Sequence, residues 1–285
     1  AMASFAAHDF EAGGQETLLL PRENNLFYRL QNGFTVSSMR SYAAAHPGAV
    51  PHPDLYYQSV GVFIARDPVY YLAVKAGDNA DSHNHNDVGS FTVYKNGLPF
   101  LIDVGVESYT KKTFSPERYE IWTMQSDYHN LPTIRGQMQK DGEAYHAKDI
   151  HYEMGSERCS ITMDIAGAYP AECGLSSYVR EAVLLKNKEI LIRDAFSFAS
   201  VAGEAQETPA VILNLMTYEK PILCGGPDKA YFRIGDLGTL SLQGGSFLSL
   251  DQIPITDARL QTAWKHALYR LRIAAACQEI TLHLS

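Results

Sequence analysis

The chain has 285 residues, of which 46% are hydrophobic and 20% charged, and a formal net charge of -8. That is enough apolar material for a large core, and the composition excludes a disordered chain; no apolar run reaches the length of a transmembrane helix. The acidic balance argues against nucleic acid as a partner, and an acidic substrate would need local positive charge from a metal, His83, Lys95 or Arg118.

Ala1-Met2-Ala3 reads as a cloning remnant, and no basic-then-apolar signal peptide follows it, so the chain is expected to be an excised piece whose address lay elsewhere. Between Leu18 and Pro53, Asn32-Gly33 marks a turn, Phe34-Thr35-Val36 a strand and His46-Pro47-Gly48 a loop. Leu55 to Ala65 and Val69 to Lys75 are apolar, aromatic and β-branched, and Arg66-Asp67-Pro68 joins them as adjacent antiparallel strands. The second strand feeds the segment Asp81-Ser82-His83-Asn84-His85-Asn86-Asp87.

The clearest hairpin follows. Phe91-Thr92-Val93-Tyr94 and Pro99-Phe100-Leu101-Ile102 flank Asn96-Gly97, a dipeptide that tolerates the positive φ angles of a two-residue turn. With those two as the loop, Lys95 faces Leu98, Phe91 faces Ile102 and Ser90 faces Asp103, which puts Asp103 beside the histidine segment. Ser115-Pro116-Glu117-Arg118 carries a cap residue, a first-turn proline and an early acid, predicting a short helix to about Gln125 that delivers His129.

Downstream the pattern stays β. Strands are expected at Ser160 to Ala166, Val179 to Leu185, Glu189 to Phe196, Ala210 to Met216, Ala230 to Ile234, Thr239 to Leu242, Tyr269 to Ala274 and Glu279 to Leu284. So many short strands predict an all-β fold: one domain over residues 1–285, a large antiparallel β-sandwich with at most one or two short helices. Arg180, Arg193, Arg270 and Arg272 alternate with apolar neighbours and are placed on a solvated sheet face. Cys159, Cys173, Cys224 and Cys277 form no CxxC pair and read as buried thiols.

Two histidines spaced i and i+2 on an extended approach, a carboxylate at the hairpin mouth and a later histidine are enough for a divalent metal site, and imidazole with carboxylate suits zinc. The bland reading is that ten histidines in 285 residues make one HxH pair unremarkable. A metallo-β-lactamase-type pattern fits His83, His85 and Asp87 but needs a histidine where Val88 stands, and a cupin-type site lacks its glutamate at Val88, Gly89 or Ser90. A non-catalytic carbohydrate-binding or structural module, with a metal that only staples loops, is the alternative from another class.

The ordered set His83-Asn84-His85-Asn86-Asp87-Val88-Gly89-Ser90-Phe91, then Gly97, Leu101-Ile102-Asp103-Val104-Gly105, Tyr109, Arg118 and His129-Asn130, resembles the heparinase II/III family of polysaccharide lyases. The resemblance implies the supersandwich-like C-terminal domain of such a lyase, with a zinc ion on His85, Asp103 and His129 and with His83 facing the substrate as a catalytic residue. His83 is otherwise a fourth ligand or a support for one. Tyr109 and Arg118 stand where the family shows substrate-binding residues; Arg118 equally suits the first turn of a surface helix, and Asp87 and Asn130 are expected to orient the imidazoles. The implied partners are an acidic polysaccharide, such as a glycosaminoglycan or alginate, and an upstream helical toroid, for which this chain has no helix-period sequence; a periplasmic or secreted location is favoured.

Overall fold

The computed structural model describes Leu26 and residues 52–199, 209–225 and 231–285. The chain divides into two compact units, Ala1–Pro53 and Asp54–Ser285, and the architecture below is that of the second. The features expected between Leu18 and residue 51, and the start of the strand at Ala230, lie outside the described residues.

The unit is an antiparallel β-sandwich, as its strand pattern predicts. A five-stranded sheet runs in the order Leu55–Tyr57, Val62–Arg66, Tyr70–Lys75, Phe91–Lys95 and Leu98–Leu101. An eight-stranded sheet runs Pro221–Cys224, Tyr231–Ile234, Gly238–Gln243, Glu279–Leu284, Glu189–Phe198, Leu175–Leu185, Arg158–Asp164 and Lys148–Met154. A four-stranded sheet runs Gly245–Ile253, Leu268–Ala275, Val211–Thr217 and Pro132–Ile134, and Asp78–Asn79 pairs with Gly142–His146. Alternation is plain in Tyr70–Lys75, where every second residue is buried. Phe63, Leu72, Ile161, Ile192, Leu213 and Ile273 from the three large sheets meet in one core. Burying such apolar surface, at roughly 25 cal/mol per Å², is the main stabilising term of the unit.

Three local expectations need correction. First, the hairpin register holds only at its tip: Lys95 pairs with Leu98 and Tyr94 with Pro99, but Val93 pairs with Leu101. Phe100 is an extra residue, a bulge that lets the consecutive Phe100 and Leu101 both be buried, which strict alternation forbids. Asn96 and Gly97 have φ of 52° and 76°, as the tight turn requires.

Second, the stretch after Ser115 is not one helix. Ser115 Oγ accepts from the Glu117 amide as a cap should, but Pro116–Glu120, Trp122–Met124 and Ser126–Tyr128 are separate 3-10 turns, parted by extended Ile121 and Gln125. The carbonyls of Thr123 and Met124 are engaged by the His129 ring and the Asn86 amide, at 3.2 and 3.0 Å, so they are not available to continue an α-helix.

Third, Arg180 is not on a solvated face. It is fully buried, as is its cross-strand partner Asp194, which it meets through two bonds. Arg270, also expected in solvent, is partly buried against Asp251, whereas Arg193 is exposed. Of the thiols, Cys159 and Cys173 are buried, Cys224 is half-buried and Cys277 exposed, all reduced.

Candidate metal centre and histidine platform

Residues 76–89 form a loop that leaves and rejoins the five-stranded sheet at one point. The Lys75 amide donates to the Ser90 carbonyl at 2.9 Å and the Gly89 amide to the Lys75 carbonyl at 2.7 Å. Gly89 is required there: φ is +86°, and a Cβ would lie 2.8 Å from Ile165 Cγ2. Buried amides pin the loop from beneath. Gln139 accepts from the Val88 amide through Oε1 and donates to its carbonyl through Nε2, while Asn79 Oδ1 accepts from the Asp87 amide.

Within this loop the two histidines of the HxH pair do not share one extended face. Asp81 to Asn84 is a turn closed by the Asn84 amide on the Asp81 carbonyl at 3.1 Å, and His83 sits in the left-handed region at φ +61°. The turn sends His83 outward and leaves His85 half-buried, its ring centroid 5.3 Å from that of the fully buried His129. Asp103 arrives from the hairpin, its side chain 40% exposed, fixed by the Gly105 amide donating to Oδ1 at 2.7 Å. His85, Asp87, Asp103 and His129 each offer one ligand atom, and these atoms all lie within 4.8 Å of one another.

The donor set fits a divalent cation. His129 Nε2 is 3.2 Å from the Thr123 carbonyl, which can only accept, so Nε2 carries the hydrogen of the neutral ring. Nδ1 is then a buried lone pair with no hydrogen-bond partner among the described residues, 3.2 Å from Asp103 Oδ2. Two acceptors face each other at that distance only with positive charge shared between them, from a proton or a metal ion. The titration behaviour follows. Burial, reinforced by His129, pushes the His85 imidazole down to about 4, so it is neutral and ligand-ready at neutral pH. Burial opposes charge on His129 too, but the Asp103 carboxylate outweighs it and raises its pKa above the ordinary 6.5. Desolvation likewise opposes the Asp103 anion, and His129 more than compensates, holding Asp103 well below the usual carboxylate range.

Asp87 belongs to the cluster but has a second duty, since Lys75 Nζ is 2.6 Å from its Oδ1. Asn130, expected to orient an imidazole, instead stitches strands: Nδ2 donates to the Phe91 and Ile102 carbonyls and Oδ1 accepts from the Met216 amide. Its own carbonyl, with that of Gly89, receives Arg180 Nη1 at 2.7 and 2.9 Å. Arg180 therefore buckles both limbs of the centre to the core. Sequence reasoning missed it because an arginine alternating with apolar residues looks the same on either face of a sheet; the pairing with Asp194 was the available signal.

His83 lies in a separate, solvent-facing group. Its ring stacks on Tyr109 with centroids 5.9 Å apart and planes 1° from parallel, and Phe114 meets both rings edge-on. Arg118 donates from Nε and Nη2 to the Asn84 carbonyl and from Nη1 to that of Thr113. Tyr119 donates to Asn84 Oδ1 at 2.9 Å. Both therefore fasten the residue next to His83.

The unit is thus an antiparallel sandwich that carries a histidine–carboxylate cluster beside an exposed histidine. The model of the family described as Heparinase II/III-like, C-terminal matches residues 49–203, over half of the chain, and the chain belongs to that family. Among solved structures, a heparan sulfate lyase from Pedobacter heparinus superposes with a TM-score of 0.62 at 14% identity, covering 99% of this chain and 42% of that one. A heparinase III gene product gives 0.59 at 17% identity over 89% of this chain and 40% of its own. A further heparinase III gives 0.54 at 17% identity over 83% and 37%. At these identities the likeness is one of fold, and the chain spans between 37% and 42% of the length of these neighbours. No curated protein matches the chain. Among the described residues no helix is long and apolar enough to cross a membrane.

Proposed function

We propose that this chain is the β-sandwich part of a lyase that cleaves a uronic-acid-containing polysaccharide by β-elimination. In this reading His85, Asp103 and His129 hold a zinc ion, and His83 takes part in the chemistry. The observation that carries it is the division of the histidine loop, which turns His85 inward to the cluster and His83 outward onto Tyr109. Two nitrogens and a carboxylate oxygen suit zinc with one further position. Bound there, the ion would supply fixed positive charge that ties three chain segments together.

Elimination across C4 and C5 of a uronate needs the carboxylate neutralised, the C5 proton removed and the O4 leaving group protonated. His83, exposed and held by its loop, neutralises the carboxylate or accepts the proton. Tyr109 lies against its ring and shapes the same surface, and Arg118 acts on substrate binding through the Asn84 carbonyl that it fixes. The remaining acid–base groups are assigned to a helical domain elsewhere in the whole protein. The test is the ultraviolet absorbance of the unsaturated uronate product, for this chain and for the longer natural protein, over heparan sulfate, alginate and other uronate polymers. Activity of the longer protein, lost in its His83→Ala variant, is the expected result. No product from the longer protein on any uronate would favour a metal-stapled binding module instead.

A further inference from the structure

Over the Tyr109 ring, on which His83 also stacks, stands a cation that the catalytic reading does not use. The Arg259 guanidinium lies 4.8 Å from the Tyr109 ring centroid, and the residue is exposed. No carboxylate pairs with it among the described residues. Glu107, two residues before Tyr109, is engaged by the Trp122 indole at 2.7 Å.

The backbone that carries the arginine is held by hydrogen bonds. One carboxylate oxygen, Asp257 Oδ1, accepts from the amides of Arg259 at 2.9 Å, Leu260 at 3.0 Å and Ser108 at 3.1 Å. It thereby joins the backbone that carries Arg259 to the loop that carries Tyr109. The helix that follows, Leu260–Ala263, is anchored to the chain just past Asp103: Leu260 packs with Ile102 and Val104, and the Trp264 indole donates to the Val104 carbonyl at 2.9 Å. The stack of Arg259 on Tyr109 and of Tyr109 on His83 is thus fixed to the same strand end that aims Asp103. A guanidinium over an aromatic face keeps its N–H fork free at the edges, which is the geometry that meets carboxylate and sulfate bidentately.

We propose that Arg259 is a specificity-determining residue that receives an anionic group, carboxylate or sulfate, of a sugar bound at the His83–Tyr109 surface. This rests on the acidic-polysaccharide reading above. In a chain of net charge -8, a cation without a carboxylate partner among the described residues, on the same tyrosine as an exposed histidine, supplies the local attraction that a polyanion needs.

The test measures binding of three probes to the natural full-length protein by calorimetry: a sulfated heparan hexasaccharide, an unsulfated uronate hexasaccharide and neutral cellohexaose. Expected is a loss of about tenfold to a hundredfold in affinity for acidic probes in Arg259→Ala, smaller in Arg259→Lys, with the weak binding of cellohexaose unmoved. A merely structural role would move all three probes together. Loss confined to the heparan probe assigns sulfate as the anion; equal loss on both acidic probes assigns the carboxylate. Unchanged affinity for both acidic probes in Arg259→Ala, with wild type binding them, overturns the role of Arg259 and leaves the lyase reading standing. Failure of the wild-type protein to bind either acidic probe overturns both.

Discussion

Arg180 meets the Asp194 carboxylate through two bonds, Nε to Oδ1 at 2.7 Å and Nη2 to Oδ2 at 2.6 Å, with both side chains out of solvent. Tyr178 adds a third bond to that carboxylate at 2.8 Å, and the free edge of the guanidinium reaches the two carbonyls that flank the histidine–carboxylate cluster. Removing the arginine would strand a buried anion and two buried acceptors at once. Arg180→Met is expected to lose about 3–5 kcal/mol in denaturant unfolding, and Arg180→Met with Asp194→Leu to recover part of that loss, because the carbonyls stay unpaired. A single-variant loss under about 1 kcal/mol, the range of an exposed pair, would remove this role.

Metal-replete protein is expected to hold about one ion per chain by elemental analysis, and Asp103→Ala or His129→Ala to reduce that occupancy markedly. Because the donors come from three segments, chelation should lower the melting temperature and raise hydrogen exchange in residues 81–90 and 127–133. An exchange pattern indifferent to verified metal removal would mean that the ion does not tie these segments.

A metal ion bound at the cluster would compete with a proton for His129 Nδ1. The His129 pKa is raised above 6.5 by Asp103, while His85 is already neutral above about 4. Metal affinity should therefore rise with pH up to the raised His129 value and then level, with about one proton released per ion bound below it. For the metal-free protein the sign is opposite. The stabilisation from protonated His129 is present below the unfolded-state value of about 6.5 and is lost as pH rises through the folded-state value. Calorimetry of metal binding in buffers of different ionisation heat, over a range of pH, reads the proton release, and thermal unfolding of the metal-free protein over the same range reads the stability; a proton release that does not fall as pH rises would count against the competition.

His83 adopts φ +61° without being glycine, a conformation that costs a β-carbon-bearing residue roughly 1–2 kcal/mol. His83→Gly should leave stability unchanged or raise it by up to about 1 kcal/mol, glycine's own chain entropy offsetting part of the relief. Product formation by the full-length protein should fall by about 10² or more. A variant that loses both stability and activity would make His83 a structural residue of the loop.

Much of this was legible in the sequence. Period-two alternation and Asn96-Gly97 pointed to the sheets and the hairpin tip, whereas spacing alone left the metal site open and the family resemblance grouped His85, Asp103 and His129, which the structure brings together with Asp87. The strands Gly142–His146, Lys148–Met154, Pro221–Cys224 and Gly245–Ile253 were not anticipated. Lys148–Met154 is an edge strand in which Ile150, Tyr152 and Met154 alternate with polar residues, yet none of the three is fully buried. Nor could local pattern reveal that Gln139 would hold Val88 or that Arg180 would reach Gly89, since those bonds join residues 51 and 91 positions apart. The separation of His83 from His85 was hidden for another reason: an HxH spacing implies a shared face only if the backbone is extended, and one left-handed residue cancels that.

The extra residue at Phe100 makes the tolerance of this region to length changes uneven. At the tip, beyond Tyr94 and Pro99, one residue more or less alters only the turn. Between Pro99 and Ile102, deletion of a single residue would erase the bulge, turn Asp103 and Val104 to opposite sides of the chain, and withdraw at one stroke the carboxylate from His129 and the carbonyl from Trp264. The reading frame of one short strand thus sets both the histidine–carboxylate cluster and the anchor of Arg259, and natural insertions are to be sought at the tip and not along that strand.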